Sequence, residues 1–394
     1  MANNSASGRA LAGIKVLDLG GTVATGYCGK LFADHGATVI NVEPPGGGFG
    51  TRSLAPFLPD AAPAERSALH AWLSTNKRSV TLDLDRAAGV AALKVLARDA
   101  AVVLDGARPG ELAARGITLA GLAAVAPRLV LSCITWFGQQ GPYAQFAGAD
   151  GVCLALAGNV RGIGMPGAPP VLPTGYQAQI VGGLSAFIGT LGLVLAREMG
   201  TDSGPVQLDT SIHEAALCLT EVGAVAGFNS GVSGTRLGVN RLPPTYPLGV
   251  FPCRDGWIGV TVLTPSQWHA FCELLDMPEV ARVPEYQTAL GRFVAAEHLE
   301  PLFAPRLLQW SAEELFNRAQ GMRIPLALVP TMEQLFSVEQ FVLRGAFAGV
   351  TGGGATFAAP VIPFRLYGTP ALANGKAPRL GEHNGASFYA AGAT

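Results

Sequence analysis

Residues 173–184 read PTGYQAQIVGGL, a turn that opens a long apolar helix and carries two amides, Gln177 and Gln179, where the chain turns inward. A primary amide has no anionic oxygen and is a very poor nucleophile, so Gln179 can position or hydrogen-bond a ligand but cannot attack it. Asp150, just before the apolar run GVCLALAG, suits two roles: a proton-carrying acid or base, or the N-cap of the helix that follows. Tyr176 stands beside the amides, and His213 and Glu214 sit in SIHEAAL on a helix that would carry them away from strand ends. That placement gives the last two a supporting or interface role.

Two short cationic loops complete the set: Asn76, Lys77 and Arg78 in STNKRSVTLDL, and Arg108, Gly110 and Arg115 in ARPGELAARGI. Lys and Arg forks with backbone N–H groups are local donors of the kind an anionic ligand needs. Cysteines 28, 133, 153, 218, 253 and 272 form no CxxC pair and have no His at zinc spacing, so they read as buried, reduced thiols and no metal is expected.

The elements that must hold these residues follow from periodicity. IKVLDLGG (14–21) is a β-branched apolar run ending in glycines, TVATGYCGKLFADHG (22–36) has helical spacing with a glycine stop, and ATVINVEPP supplies a second strand. RSVTLDL (78–84), a helix over 86–100, AVVLDG (101–106), a helix near LAGLAAVAP and the strand LVLSCITWFG continue the alternation, which predicts a parallel sheet covered on both faces. Ligands of such sheets meet the carboxyl ends of the strands, here the turns near 20–26, 44–50, 106–110 and 135–143. GGTVATG at 20–26 is not the GxGxxG fingerprint, and the GGG runs at 46–48 and 352–354 lack its context, which argues against a nicotinamide or flavin.

Residues 150–230 read as helical, 246–263 as a hairpin turning at RDG, 265–340 as mostly helical, and PFRLYGTPALANGKAPRLGEHNGASF as an irregular tail laid over another surface. The apolar stretch 180–196 is short for a membrane span and holds four glycines, so it predicts a closely packed core helix. MANNSASGRALAG has no basic and apolar signal pattern and predicts a short disordered lead on a cytoplasmic protein.

A net charge of −1 gives no basic field for nucleic acid. Charged residues make up 14% against 49% hydrophobic, and so little charge points to surface hidden in a subunit interface.

In order and spacing, LAGIKVLDLGG, STNKRSVTLDL, ARPGELAARGI, SCITWFGQQGPYAQFAGAD, YPLGVFPCRDGWIGVTV, PFRLYGTPA and APRLGEH resemble the family III CoA-transferases (CaiB/BaiF family) over nearly the whole chain. The resemblance implies an α/β protein: a Rossmann-like parallel-sheet large domain built from both chain ends, a smaller α+β domain from the middle, and two subunits interlocked as a dimer. It assigns 1–200 to the large domain, 201–330 to the small domain with its linkers, and 331–394 to a segment returning to the large domain. CoA or acyl-CoA enters as substrate, met by Val23, Ala24, Asn76, Lys77, Arg78, Arg108, Gly110 and Arg115.

Four departures accompany the match. Pro44 and Pro45 stand where the family carries an Arg, and Arg115 is one residue past the expected position, held by Ala114. Val23 replaces a side-chain donor for the acyl oxygen, and Gln179 lies on the Asp that the family uses to attack the thioester. The racemase branch is not recovered either, since its G-H-D motif reads Gly148-Ala149-Asp150.

The resemblance therefore implies a CoA-transferase subunit without its own nucleophile, paired with a homologous Asp-bearing chain as in benzylsuccinate CoA-transferase of anaerobic aromatic degradation. Two alternatives stay open: a homodimeric acyl-CoA isomerase or hydratase using Asp150 or Tyr176, and a non-catalytic CoA-binding paralogue. Phe137, Trp136, Tyr176 and Phe228 suggest an apolar or aromatic acid.

Overall fold

A computed structural model describes residues 8–200, 204–230 and 236–385. The first seven residues of the predicted lead and residues 386–394, which include the end of the predicted tail, lie outside the described residues. The described parts form two compact units, one from Met1–Val160, Leu172–Val232 and Leu343–Thr394, the other from Arg161–Val171 and Ser233–Val342.

The larger unit is built on six parallel strands in the order β3-β2-β1-β4-β5-β6: β1 Lys15–Asp18, β2 Thr38–Glu43, β3 Arg78–Thr81, β4 Val102–Asp105, β5 Val130–Thr135 and β6 Val206–Ser211. Helices α1 (Val23–Asp34), α2 (Ala68–Leu73), α3 (Ala87–Ala97), α4 (Glu111–Ala114), α5 (Leu119–Ala123), α6 (Asp150–Leu156), α7 (Gln177–Glu198) and α8 (Ile212–Leu217) connect or follow them. The strand order reverses between β1 and β4, and such a switch point opens a crevice at the carboxyl ends of the strands.

The central strands bury both faces, so they read as continuous apolar runs. Val16, Leu104, Val130 and Ile134 face one layer with Phe32 of α1 and Ala186 and Phe187 of α7. Leu17, Ile40, Val103 and Leu131 face the other with Leu93 and Leu96 of α3 and Leu122 of α5.

Helix α1 starts where it does because Thr22 and Thr25 make a reciprocal capping box. Helix α7 lies against it so closely that a Cβ on Gly183 would sit 2.4 Å from the Ala24 carbonyl oxygen. Although α7 is long and apolar enough to cross a membrane, Ala178, Gly182, Ala186, Thr190 and Val194 form a buried stripe, as expected of a core helix.

β6 corrects the helical reading of 150–230 and the domain boundary at 200. VQLDTS pairs in parallel with β5 and joins the large unit, and its alternating exposure is that of an edge strand, a weaker signal than the apolar central runs. The small unit begins its main segment at 233 and ends at 342.

β10 (Phe347–Gly352) and β11 (Ala355–Pro360) form a hairpin beside the short β12 (Gly375–Lys376). The irregular tail then runs along β3, where the His383 N–H donates to the Ser79 carbonyl at 2.9 Å and Asn384 Oδ1 accepts the Thr81 N–H at 2.9 Å. The surface it covers belongs to its own chain.

In the small unit β7 (Leu248–Cys253), β8 (Gly256–Thr261) and β9 (Leu326–Leu328) make an antiparallel sheet. Tyr246, Trp268, Phe271 and Phe303 fill its core, and the buried Arg292 guanidinium stacks 5.3 Å from the Trp268 ring. Cys28, Cys133, Cys153, Cys253 and Cys272 are buried and unpaired, whereas Cys218 is exposed, against expectation.

Candidate active site

The turns that follow β1, β4 and β5 enclose a cavity of about 480 Å³ at the switch point of the sheet. Leu19, Gly20 and Thr22 come from the first turn, Gly106, Ala107, Arg108 and Pro109 from the second, Ile134 and Thr135 from the end of β5 with Trp136 of its turn, and Gln179 and Ile212 from α7 and α8. Backbones crowd here: a Cβ on Gly20 would fall 2.3 Å from the Thr25 side chain, and one on Gly106 would fall 3.0 Å from the Gly20 carbonyl oxygen.

Burial separates a floor from a mouth. Ile134 is 1% exposed, Ile212 2%, and Thr135 and Gln179 6% each, while the side chains of Arg108 and Arg115 are 72% and 37% exposed. Each arginine has an acidic neighbour: Arg108 faces Glu111 at 3.7 Å and Arg115 Nε bonds Asp85 at 2.7 Å. Gly110 lies between them in the left-handed region at φ 89°, where it turns the loop into α4. The Thr135 hydroxyl on the floor has no hydrogen-bond partner among the described residues.

Gln179 is held at both ends of its amide. Its Oε1 accepts the Val23 N–H at 3.1 Å, at the first turn of α1, and its Nε2 donates to Asp150 Oδ2 at 2.8 Å. The other Asp150 oxygen accepts the Gln179 backbone N–H at 3.1 Å.

This corrects the capping role for Asp150. Ala149 is the N-cap of α6 and Asp150 is the first helical residue, where its carboxylate reaches across to α7. Twenty-nine residues separate the partners, so no local pattern announces the pair.

Val23 turns its side chain into the core and offers only its backbone N–H, and Ala24 is buried against α7. Asn76, Lys77 and Arg78 do not line the cavity. Asn76 and Lys77 precede β3 and Arg78 opens it, which stands all three toward the amino end of that strand and not at the carboxyl end expected from sequence.

Lys77 instead lies buried, with Nζ 3.2 Å from Asp18 Oδ2 and 2.9 Å from the Gly26 carbonyl oxygen. Asn76 takes a left-handed backbone at φ 63° and donates to Asp34 at 2.8 Å. Arg78 is exposed at the first residue of β3, near enough to Lys15 for the two charges to repel.

Tyr176 precedes α7 and Phe228 lies exposed on a later helix, so neither enters the cavity. The aromatic wall comes from Trp136 and Phe146, the latter stacked with Tyr143 at 4.9 Å. Asp105 ends β4 just behind the cavity lining, where its carboxylate accepts the Ala107 N–H at 2.8 Å and a hydrogen bond from the Cys133 thiol. Burial pushes its carboxyl up to about 6. Among the described residues no group of three or more His, Cys, Asp or Glu side chains is placed to hold a metal ion.

The model of CoA-transferase family III matches residues 11–384. The chain belongs to this family. It is 32% identical to a succinyl-CoA–D-citramalate CoA-transferase of Chloroflexus aurantiacus over 95% of this chain and 92% of the relative. It is 29% identical to the alpha subunit of a succinyl-CoA–L-malate CoA-transferase of Chloroflexus aurantiacus, over 94% of this chain and 86% of that one.

The family fold is equally direct. A crystal structure of a CaiB/BaiF family protein from Brucella suis superposes with a TM-score of 0.85 at 27% identity, covering 97% of this chain and 99% of that one. The six-stranded parallel sheet with its smaller antiparallel sheets is thus a family III CoA-transferase fold.

Proposed function

We propose that this chain is a subunit of a CoA-transferase that moves CoA between carboxylic acids through acyl-CoA thioesters, and that a homologous Asp-bearing chain supplies the nucleophile. The observation that carries the reading is the buried amide of Gln179 on the cavity floor. Both of its polar ends are committed, to the Val23 N–H and to Asp150, and the cavity lining holds a single carboxylate, Glu111, beside Arg108 at the mouth.

CoA carries a diphosphate and a ribose phosphate, which suit Arg108 and Arg115 at the mouth with the thiol end pointing to Gln179. Arg115 can exchange Asp85 for a phosphate without unburying a charge, because that pair is already solvated. Exposed apolar side chains on α7, Leu184, Ile188 and Leu195, suit the interlocked subunit interface implied by family membership, and a relative named as an alpha subunit supports a heteromer.

Native mass spectrometry of the protein from its own host tests the reading directly. A homologous chain is expected to co-purify, and the purified chain alone is expected to show no transfer. Full transfer activity by this chain alone would falsify the proposal.

Gln179→Asp adds a chemical test. A carboxylate there would stand between the Val23 N–H at the N-terminus of α1, which favours its ionised form, and the Asp150 carboxylate, which opposes it. The variant mixed with an acyl-CoA is expected to gain a covalent CoA adduct by intact-protein mass spectrometry, which the natural chain does not. No adduct in a folded variant would count against placing the nucleophile position at 179.

A further inference from the structure

We infer that the acid whose thioester this cavity holds is a monocarboxylic acid with an apolar tail, aromatic or branched, and not a dicarboxylic acid. The inference rests on reading the cavity as the acyl-CoA site.

It is carried by where the charges stand. The cavity's charged lining residues, Arg108, Arg115 and Glu111, all belong to the loop after β4 and the short α4 that follows. Their side chains are exposed, from 37% for Arg115 to 72% for Arg108, so all three mark the mouth. The phosphates of CoA take up cations on that side.

The remainder of the wall is neutral. Ile134, Trp136, Phe146, Ala147 and Ile212 are apolar, and the polar groups beside them, Gln179, Thr22 and Thr135, carry no charge. Trp136 is held in place by Gly148, where any Cβ would fall 2.2 Å from its ring.

A thioester carbonyl fits there, because its oxygen is neutral and the lining beside it carries no charge. A second carboxylate at the far end of the acyl chain does not. On the floor it finds no cation, and the one nearby acid that the floor touches, Asp150 behind Gln179, repels it. An apolar tail gains by leaving water against Ile134, Trp136 and Ile212.

The test is equilibrium binding by calorimetry on the natural protein, with any co-purifying subunit left in place. Free CoA, phenylacetyl-CoA and succinyl-CoA are the three ligands. Phenylacetyl-CoA is expected to bind about tenfold or more tighter than CoA, equivalent to ~1.4 kcal/mol, and succinyl-CoA no tighter than CoA.

Succinyl-CoA binding as tightly as phenylacetyl-CoA would overturn the inference while leaving the CoA site intact. No binding of any of the three would overturn the site itself, and the inference with it.

Two variants sharpen the result. Trp136→Ala is expected to weaken phenylacetyl-CoA about tenfold and leave free CoA unchanged; an equal loss for both would overturn the assignment of the apolar wall. Ile212→Arg places a cation on the floor and is expected to reverse the preference toward succinyl-CoA, and an unchanged preference in the folded variant would count against the inference.

Discussion

The sheet presents two polar clusters at the carboxyl ends of its strands, one after β2 and one after β4 and β5, and they are built on opposite rules. After β2, Glu43 is fully buried and accepts from Arg52 Nε at 2.7 Å, Arg52 Nη2 at 2.8 Å, the Ser79 hydroxyl at 2.6 Å and the Phe49 N–H at 3.0 Å. Burial pulls its carboxyl upward, but the hydrogen bonds and charge of Arg52 with the Ser79 hydroxyl outweigh this and hold it below the ordinary carboxylate value.

Nearby His70 is driven down to about 3 by burial and by Arg52, which keeps it neutral between the Thr51 and Ser74 hydroxyls. After β4 and β5, by contrast, Asp105 has no salt bridge among the described residues, the Thr135 hydroxyl has no partner there, and the arginines extend into solvent.

The contrast teaches which end is structure and which is site. A cluster whose buried charges are answered within the chain, and which ties the C-terminal segment through the Leu380 N–H to Glu65, holds the fold together. A cluster with neutral floor, unanswered groups and solvated cations is shaped for a ligand. The turn at 44–50 belongs to the first kind, although its position at a strand end gives it the same standing in the sequence as the turns that line the cavity.

Breaking the first cluster should have the largest effect. Glu43→Ala leaves the Arg52 charge buried with only the partly buried Glu65 and backbone carbonyls, and is expected to cost about 3–5 kcal/mol in denaturant unfolding. A loss below ~1 kcal/mol would show the cluster to be more solvated than its geometry implies.

Asp105 should respond more modestly and in the opposite sense. Its folded carboxyl titrates above its unfolded value, so the folded chain binds the extra proton and this group's contribution to stability is lost as pH rises from about 4 to about 6. Asp105→Asn removes that dependence while keeping an acceptor for the Ala107 N–H, so relative to the natural chain it is expected to gain ~2–3 kcal/mol between pH 4 and pH 7. A flat difference across that range would place Asp105 in a wetter setting.

The smallest stability effect belongs to the mouth. Arg115→Ala gives up an exposed pair with Asp85, worth under ~1 kcal/mol, while CoA affinity is expected to fall about tenfold by calorimetry. Unchanged affinity would take Arg115 out of the ligand's path.

Much of this molecule could be read in advance. The apolar runs of β1 to β5 and the caps at Thr22, Thr264 and Ser311 are local signals, decided within a few residues by burial and by unsatisfied N–H groups. β6 was hidden because an edge strand alternates weakly beside helices. The position of the Asn76-Lys77-Arg78 loop toward the amino end of β3 is not legible in the sequence, because charge beside a strand does not say which end of the strand it serves.

The sequence by itself determined that a parallel α/β sheet would form and that position 179 carries an amide, since side-chain chemistry and short-range periodicity need no partner to be read. Only the tertiary structure decided what that amide does. Its two partners lie 29 and 156 residues away, and the division of the cavity into a neutral floor and a charged mouth arises from three turns, α7 and α8, brought together by packing alone.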